Sequence, residues 1–123
     1  WFKQVNDTHG HRAGDRALES FGALLHLRVR GSDPVGRLGG DEFLIVLPET
    51  TAMMALNAAE GLRRSLAERP LELEGGLELR LTCSLGVAEL KDGDSDGGAL
   101  LARADAALYG AKAGGRDRAY PAP

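Results

Sequence analysis

Gly39-Gly40-Asp41-Glu42-Phe43 lies between two apolar stretches, Val35 to Leu38 before it and Phe43 to Leu47 after it. This arrangement commits the middle of the chain to a strand, a tight turn and a second strand. A Gly-Gly pair supplies the positive φ angles that two-residue hairpin turns require, and β-branched and aliphatic flanks fit a pleated surface. Such a turn holds Asp41 and Glu42 at the end of a rigid ribbon, where a carboxylate can meet a divalent cation and a phosphate without ordering a loop. The plainer alternative is an acidic turn that keeps a sheet end soluble, and for a Gly-Gly-acid turn taken alone it is the default. The rest of the chain has to decide between the two.

Trp1 to His11 opens with bulky apolar residues followed by turn formers, and reads as the exit of a strand whose body precedes Trp1. Leu18, Phe21, Leu25 and Val29 recur at helical spacing and predict a first helix over Asp15 to Arg30 with one face on a sheet. Gly31 sits where a left-handed cap ends a helix, and Asp33-Pro34 turns the chain into the central hairpin. Thr51 is placed to cap a second helix carrying Ala55, Ala59, Leu62 and Leu66, which Pro70 terminates. Alternation about Gly75-Gly76 predicts a second hairpin, whose later strand runs on through Leu81, Cys83, Leu85 and Val87. After a polar loop, Leu100, Leu101, Ala104 and Leu108 mark a third helix ending near Gly114-Gly115, and Pro121-Ala122-Pro123 reads as a disordered tail. With one upstream strand added, the order is βαββαβ. That is an α+β, two-layer ferredoxin-like plan with an antiparallel central sheet and packed helices, one domain over residues 1–120 whose first strand is missing from the chain.

Bulk properties narrow the function classes. A chain of 123 residues suits one domain. Its net charge of -3 gives no broad basic field, so nucleic acid is not an expected partner. The single cysteine, Cys83, excludes an internal disulfide and a cysteine zinc cluster, and its apolar surroundings predict a buried core thiol. No apolar run approaches the roughly 18 residues of a membrane span. No membrane contact is expected within the chain, and a cytoplasmic location follows.

Three constellations carry chemistry. Asn6 and Asp15 flank His9-Gly10-His11, and an amide paired with a carboxylate can read the edge of a guanine, which offers donors to the carboxylate and an acceptor to the amide. Asp15 equally suits a plain helix cap. His9 and His11 with Asp7 or Asp15 lack a third strong nitrogen or sulfur ligand at suitable spacing for a metal. Lys112 and Arg116 straddle Gly114-Gly115, either as cations at a helix C-terminus or as a phosphate clamp. Asp92-Gly93-Asp94-Ser95-Asp96-Gly97 imitates the first half of a calcium loop, but the twelfth position is Arg103 instead of a bidentate Glu, so a solvated loop is expected.

Taken together, Asn6-Asp7-x-x-Gly10-His11-x-x-Gly14-Asp15, Arg37-x-Gly39-Gly40-Asp41-Glu42-Phe43, Ser84-x-Gly86-Val87-Ala88, Ala104-Asp105-x-Ala107-Leu108-Tyr109-x-Ala111-Lys112 and Gly115-Arg116 resemble the GGDEF domains of diguanylate cyclases. The resemblance spans essentially the whole chain. It implies condensation of two GTP molecules into cyclic di-GMP with two Mg²⁺ or Mn²⁺ ions per active site, in a homodimer whose subunits each hold one GTP. By the resemblance Asp41 would ligate metal, and Glu42 would assist there or in activating the 3′-hydroxyl. Asn6 and Asp15 would read guanine, with Leu18 lining that pocket and Gly40 in the substrate-contacting set. Phe2 and Lys3 would hold phosphates through backbone N–H groups, and Lys112 and Arg116 would clamp the terminal phosphates.

Arg30 and Asp33 resemble the family's inhibitory product site, which often draws a second arginine from the next helix; here Gly61 takes that position and Arg63 is close by. In the family an Asp-x-Asp pair precedes Phe-Lys and its first Asp binds metal. That segment lies ahead of Trp1, so turnover by these residues alone is expected to be impaired. The alternative function is a non-catalytic module that binds cyclic di-GMP or GTP and signals to a partner.

Overall fold

The structure, a computed structural model, describes all residues from Trp1 to Pro123. In chain order the elements are α1 (Phe2–His9), α2 (His11–Arg28), β1 (Val35–Gly39), β2 (Glu42–Ile45), α3 (Ala52–Glu68), β3 (Leu71–Glu72), β4 (Glu78–Leu79), β5 (Leu85–Val87), α4 (Gly97–Ala113) and β6 (Ala119–Pro121), with a short 3₁₀ turn at Glu74–Gly76. The α+β mixture is the one expected. The strands form three two-stranded ladders, β1 with β2, β3 with β4 and β5 with β6. Two compact units interleave along the chain: Trp1–Pro48 with Glu68–Leu81, and Glu49–Ala67 with Thr82–Pro123.

In the first unit, the segment expected as a strand exit is instead helix α1. Val5 is its buried residue, and the break after it is Gly10 at φ +92. The left-handed glycine lets α2 begin at His11, four residues ahead of the expected start at Asp15. Asp15 therefore lies inside the helix and is not its cap. At the other end α2 stops at Val29, whose backbone is extended (φ -106, ψ 163), so Gly31 is not the left-handed cap; the turn that follows is closed by the Asp33 N–H on the Arg30 carbonyl at 2.9 Å. Ala17, Leu18, Phe21 and Leu25 form the buried stripe of α2, close to the predicted face. Trp1 meets Phe21 edge to face at 5.9 Å, and Phe21 meets Phe43 at 5.2 Å. Such pairs contribute about 0.5–1.5 kcal/mol beyond simple burial. They fasten α1, α2 and the β1–β2 hairpin together. The second hairpin is as predicted: Leu71 pairs with Leu79 and Glu72 with Glu78, across Gly75 and Gly76 at positive φ.

In the second unit, the Thr51 hydroxyl accepts the Met54 N–H at 3.2 Å at the start of α3, as its sequence position suggested, and Ala59, Leu62 and Leu66 are buried. The expected long strand is interrupted, because β4 finds its partner in β3 and β5 in β6, leaving residues 80–84 outside any ladder. The alternation that suggested one strand records burial more than pairing: Leu79 and Leu81 are both buried. The expected tail is partly paired. β6 runs parallel to β5, with Leu85 opposite Ala119 and Val87 opposite Pro121, and the Ala122 N–H reaches the Val87 carbonyl at 2.7 Å.

Helix α4 is capped by Asp96, whose carboxylate accepts the Gly98 N–H at 2.9 Å. Its buried residues are Ala107 and Ala111, while Leu101 is 40% exposed, so the buried face is rotated from the leucine-rich one predicted. At Gly86 a Cβ would overlap the Ala104 carbonyl oxygen and the Leu108 backbone, so β5 and α4 approach backbone to backbone there.

Candidate nucleotide and metal site

The central hairpin turns one residue later than a Gly39-Gly40 loop would. Gly39, at φ +155, is already paired with Glu42, so the two loop residues are Gly40, at φ +39, and Asp41. Leu38 is bulged out between the Arg37–Phe43 and Gly39–Glu42 pairs. Arg37 Nε donates to the Gly40 carbonyl at 2.8 Å, which braces the loop from its own strand. Asp41 and Glu42 are both exposed at this tip.

No three His, Cys, Asp or Glu side chains cluster together in the structure. Two adjacent carboxylates on a braced turn do fit Mg²⁺ or Mn²⁺. These hard ions are commonly bound by one or two carboxylates, with substrate phosphates and water completing the shell.

Beside the hairpin lies a cleft of about 480 Å³ lined by Asp15, Leu18, Glu19, Gly22, Arg37 and Phe43. Asp15 and Leu18 from α2 thus share one wall with the two residues that flank the Asp41–Glu42 turn. Asn6 does not line this cleft; its amide oxygen is buried without a hydrogen-bond partner, against Gly14, the residue before Asp15. A Cβ at Gly14 would overlap that oxygen, which explains the glycine. An orphaned buried acceptor is what a ligand donor satisfies. Arg37, Glu19 and Phe43 were not singled out as binding residues from sequence; the position of Arg37 three residues ahead of Gly40 was the available signal.

Phe2 and Lys3 open α1, where backbone N–H groups have no intrahelical acceptor, and Trp1 provides no side-chain cap. Helix starts of this kind hold anions. Past the C-terminal end of α2, Arg30 and Asp33 are bonded to each other: Nε and Nη2 of Arg30 donate to the Asp33 carboxylate at 3.1–3.3 Å, and its backbone N–H donates at 2.9 Å. Arg30 Nη2 also donates to the Pro48 carbonyl at 2.9 Å. These bonds from Arg30 lower the pKa of Asp33, against the opposing effect of its burial.

Lys112 and Arg116 belong to the second unit, Lys112 in the last turn of α4 and Arg116 in the turn beyond it. Arg116 (φ +61) and Asp117 (φ +47) are successive non-glycine residues in the left-handed region, which costs of order 1–2 kcal/mol each. Arg63 is committed to Glu60 at 3.0 Å and Asp117 at 3.2 Å. The loop expected to be solvated is partly closed: Asp94 is gripped by Arg103 through two 2.7 Å bonds, and those bonds, with one from the Lys91 N–H, take its pKa to about 2. The arginine that spoils the calcium pattern supplies the cation itself. Cys83, expected as a buried core thiol, is instead half-buried, and its partial burial pushes its pKa up to about 12.

The family model described as "Diguanylate cyclase, GGDEF domain" matches residues 1–118. The chain is 41% identical over 117 residues to diguanylate cyclase DgcP of Pseudomonas aeruginosa, covering 95% of this chain and 17% of that protein. It is 42% identical over 119 residues to the response regulator PleD of Caulobacter vibrioides, covering 95% and 26%. The chain therefore spans only a minor part of these relatives. Among solved structures it is similar to the GGDEF domain of DgcB from Caulobacter crescentus in complex with c-di-GMP, with a TM-score of 0.91, 34% identity, and coverage of 98% of this chain and 71% of that one. No helix is long and apolar enough to cross a membrane.

Proposed function

The chain belongs to the GGDEF family of diguanylate cyclase domains, and we propose that it binds GTP through the cleft beside the Asp41–Glu42 turn and joins two GTP molecules into cyclic di-GMP. One observation supports this most. Arg37 and Phe43, which flank the carboxylate turn, line the same cleft as Asp15 and Leu18.

Asp15 reads guanine from the cleft wall in this proposal, with Leu18 as the apolar wall against the base, and Asn6, which lies outside the cleft lining, enters as the second guanine-reading group on the strength of the family motif. The N–H groups of Phe2 and Lys3 hold phosphate oxygens, as unpaired helix-start donors do, and Gly40 lets the substrate approach the loop backbone. Lys112 and Arg116 enter as triphosphate cations on the strength of the family motif.

Asp41 would hold Mg²⁺ or Mn²⁺, with Glu42 assisting there or in activating the 3′-hydroxyl, and the ions would supply charge neutralisation at the attacking and leaving oxygens of an in-line displacement. The 3′-oxygen of each GTP bonds to the α-phosphorus of the other, and each pyrophosphate departs, so two P–O bonds form and two break. One GTP per domain requires two copies facing each other, hence a homodimer. Incubation with GTP and Mg²⁺ followed by chromatography tests the reading: cyclic di-GMP should form in a protein carrying this domain and vanish with Asp41→Ala.

A second reading keeps the cleft and drops the chemistry: a domain that takes GTP or cyclic di-GMP beside the Asp41–Glu42 turn acts as a non-catalytic binding module that signals to a partner. For regulation, Arg30 and Asp33 are proposed as the product site. Arg63 adds nothing to it in this reading, since its guanidinium is paired with Glu60 and Asp117.

A further inference from the structure

The turn that carries Arg116 is held by bonds that no nucleotide contact requires. Arg116 and Asp117 both occupy the left-handed region, where residues with a side chain seldom sit, and consecutive pairs persist only when their surroundings enforce them. Four local ties are visible. The Arg116 N–H donates to the Ala111 carbonyl at 3.0 Å, and Arg118 Nε donates to the Arg116 carbonyl at 2.8 Å. The other two come from α3: Arg63 Nη1 donates to Asp117 at 3.2 Å, and Glu60 Oε1 accepts the Ala119 N–H at 3.3 Å. Glu60 Oε2 also takes Arg63 Nε at 3.0 Å, so one carboxylate both grips the strand after the turn and aims the arginine that grips the turn itself.

We propose that Glu60 and Arg63 are positioning residues for Arg116, fixing through Asp117 and Ala119 the turn from which Arg116 reaches a triphosphate. The proposal rests on the reading of Arg116 as a phosphate clamp. Without Arg63, Asp117 has no partner to keep it left-handed, the turn relaxes, and Arg116 loses its preset direction. The effect falls on phosphate recognition and leaves base recognition alone. Asn tolerates the left-handed region and keeps the acceptor oxygen, so Asp117→Asn preserves the device, whereas Asp117→Ala removes both properties.

Calorimetry with GTP and, separately, with guanosine tests this on the folded protein. Arg116→Ala, Arg63→Ala and Asp117→Ala should each weaken GTP by about tenfold, a difference of roughly 1.4 kcal/mol, with guanosine affinity unchanged. Asp117→Asn should stay near the parent, and Arg63→Ala combined with Arg116→Ala should be no weaker than Arg116→Ala alone. If Arg63→Ala fails to fold, Asp117→Ala, on the exposed turn, gives the same readout. Full GTP affinity in Arg63→Ala and Asp117→Ala, beside a weakened Arg116→Ala, overturns the positioning role and leaves the clamp standing. Equal losses for GTP and guanosine overturn it too, since they mark general damage to the fold. Unchanged GTP affinity in Arg116→Ala removes the clamp reading and the positioning role with it.

Discussion

Arg30 closes on Asp33 across a three-residue turn, giving the carboxylate three side-chain contacts and one backbone N–H while its own Nη2 is shared with the Pro48 carbonyl. The fork is held in place before any ligand arrives. An arginine so fixed can face a phosphate or stack on a guanine at small entropic cost. Arg30→Ala is therefore expected to abolish binding of cyclic di-GMP to the folded domain while GTP binding is spared. Calorimetry with both nucleotides checks this; an unchanged cyclic di-GMP affinity would remove the product site from this turn.

Two glycines should respond differently to alanine. At Gly86 the new Cβ meets the backbone of Ala104 and Leu108, which cannot step aside, so Gly86→Ala should lower stability by about 1–3 kcal/mol or more in urea unfolding. At Gly14 the obstacle is the Asn6 amide, a side chain that can rotate. Gly14→Ala should cost less stability but weaken GTP, because it displaces a base-reading group. Equal stability losses with intact GTP binding would contradict the assignment of Asn6.

Asp94 gives a pH signature. Its folded pKa, lowered to about 2 chiefly by the Arg103 side chain, lies below the ordinary 3.8. The unfolded state thus takes up the proton first on acidification. The contribution to stability is present above the ordinary value and is lost as pH falls towards about 2. Asp94→Asn should flatten the stability profile between about pH 4 and pH 2, measured by thermal unfolding, and leave the slope above that window unchanged.

Cys83, its pKa raised to about 12 by burial, should be almost wholly protonated at pH 8. A thiol reagent should label it slowly in the native protein and quickly in denaturant. Rapid native labelling, followed by absorbance, would show that the second unit opens around it.

What could be read from sequence was the local chemistry. Gly39-Gly40 and Gly75-Gly76 announced both hairpins, Thr51 announced α3, and the buried stripe of α2 follows its periodicity. Helix α1 was missed because Asn6, Asp7, Thr8 and His9 are indifferent helix formers, and the segment is held by the burial of Val5 and the Trp1–Phe21 contact. Strand β6 was missed because its partner, β5, lies far earlier in the chain and no local pattern encodes a parallel pairing. At the site, Asp15 and Leu18 line one cleft with Arg37 and Phe43, the residues on either side of the Asp41–Glu42 turn. The ties of Arg37 to Gly40 and of Arg63 to Asp117 depend on backbone geometry and non-local folding that spacing does not reveal.

Guanine recognition is the claim on which the rest depends, and calorimetric titration of the folded domain with GTP and with ATP tests it most directly. GTP should bind and ATP should bind at least about tenfold more weakly, and Asn6→Ala or Asp15→Ala should erase that difference, since each leaves part of the guanine edge unpaired at a loss of roughly 1–3 kcal/mol. Equal affinities for GTP and ATP would contradict the assignment of the cleft to a guanine nucleotide.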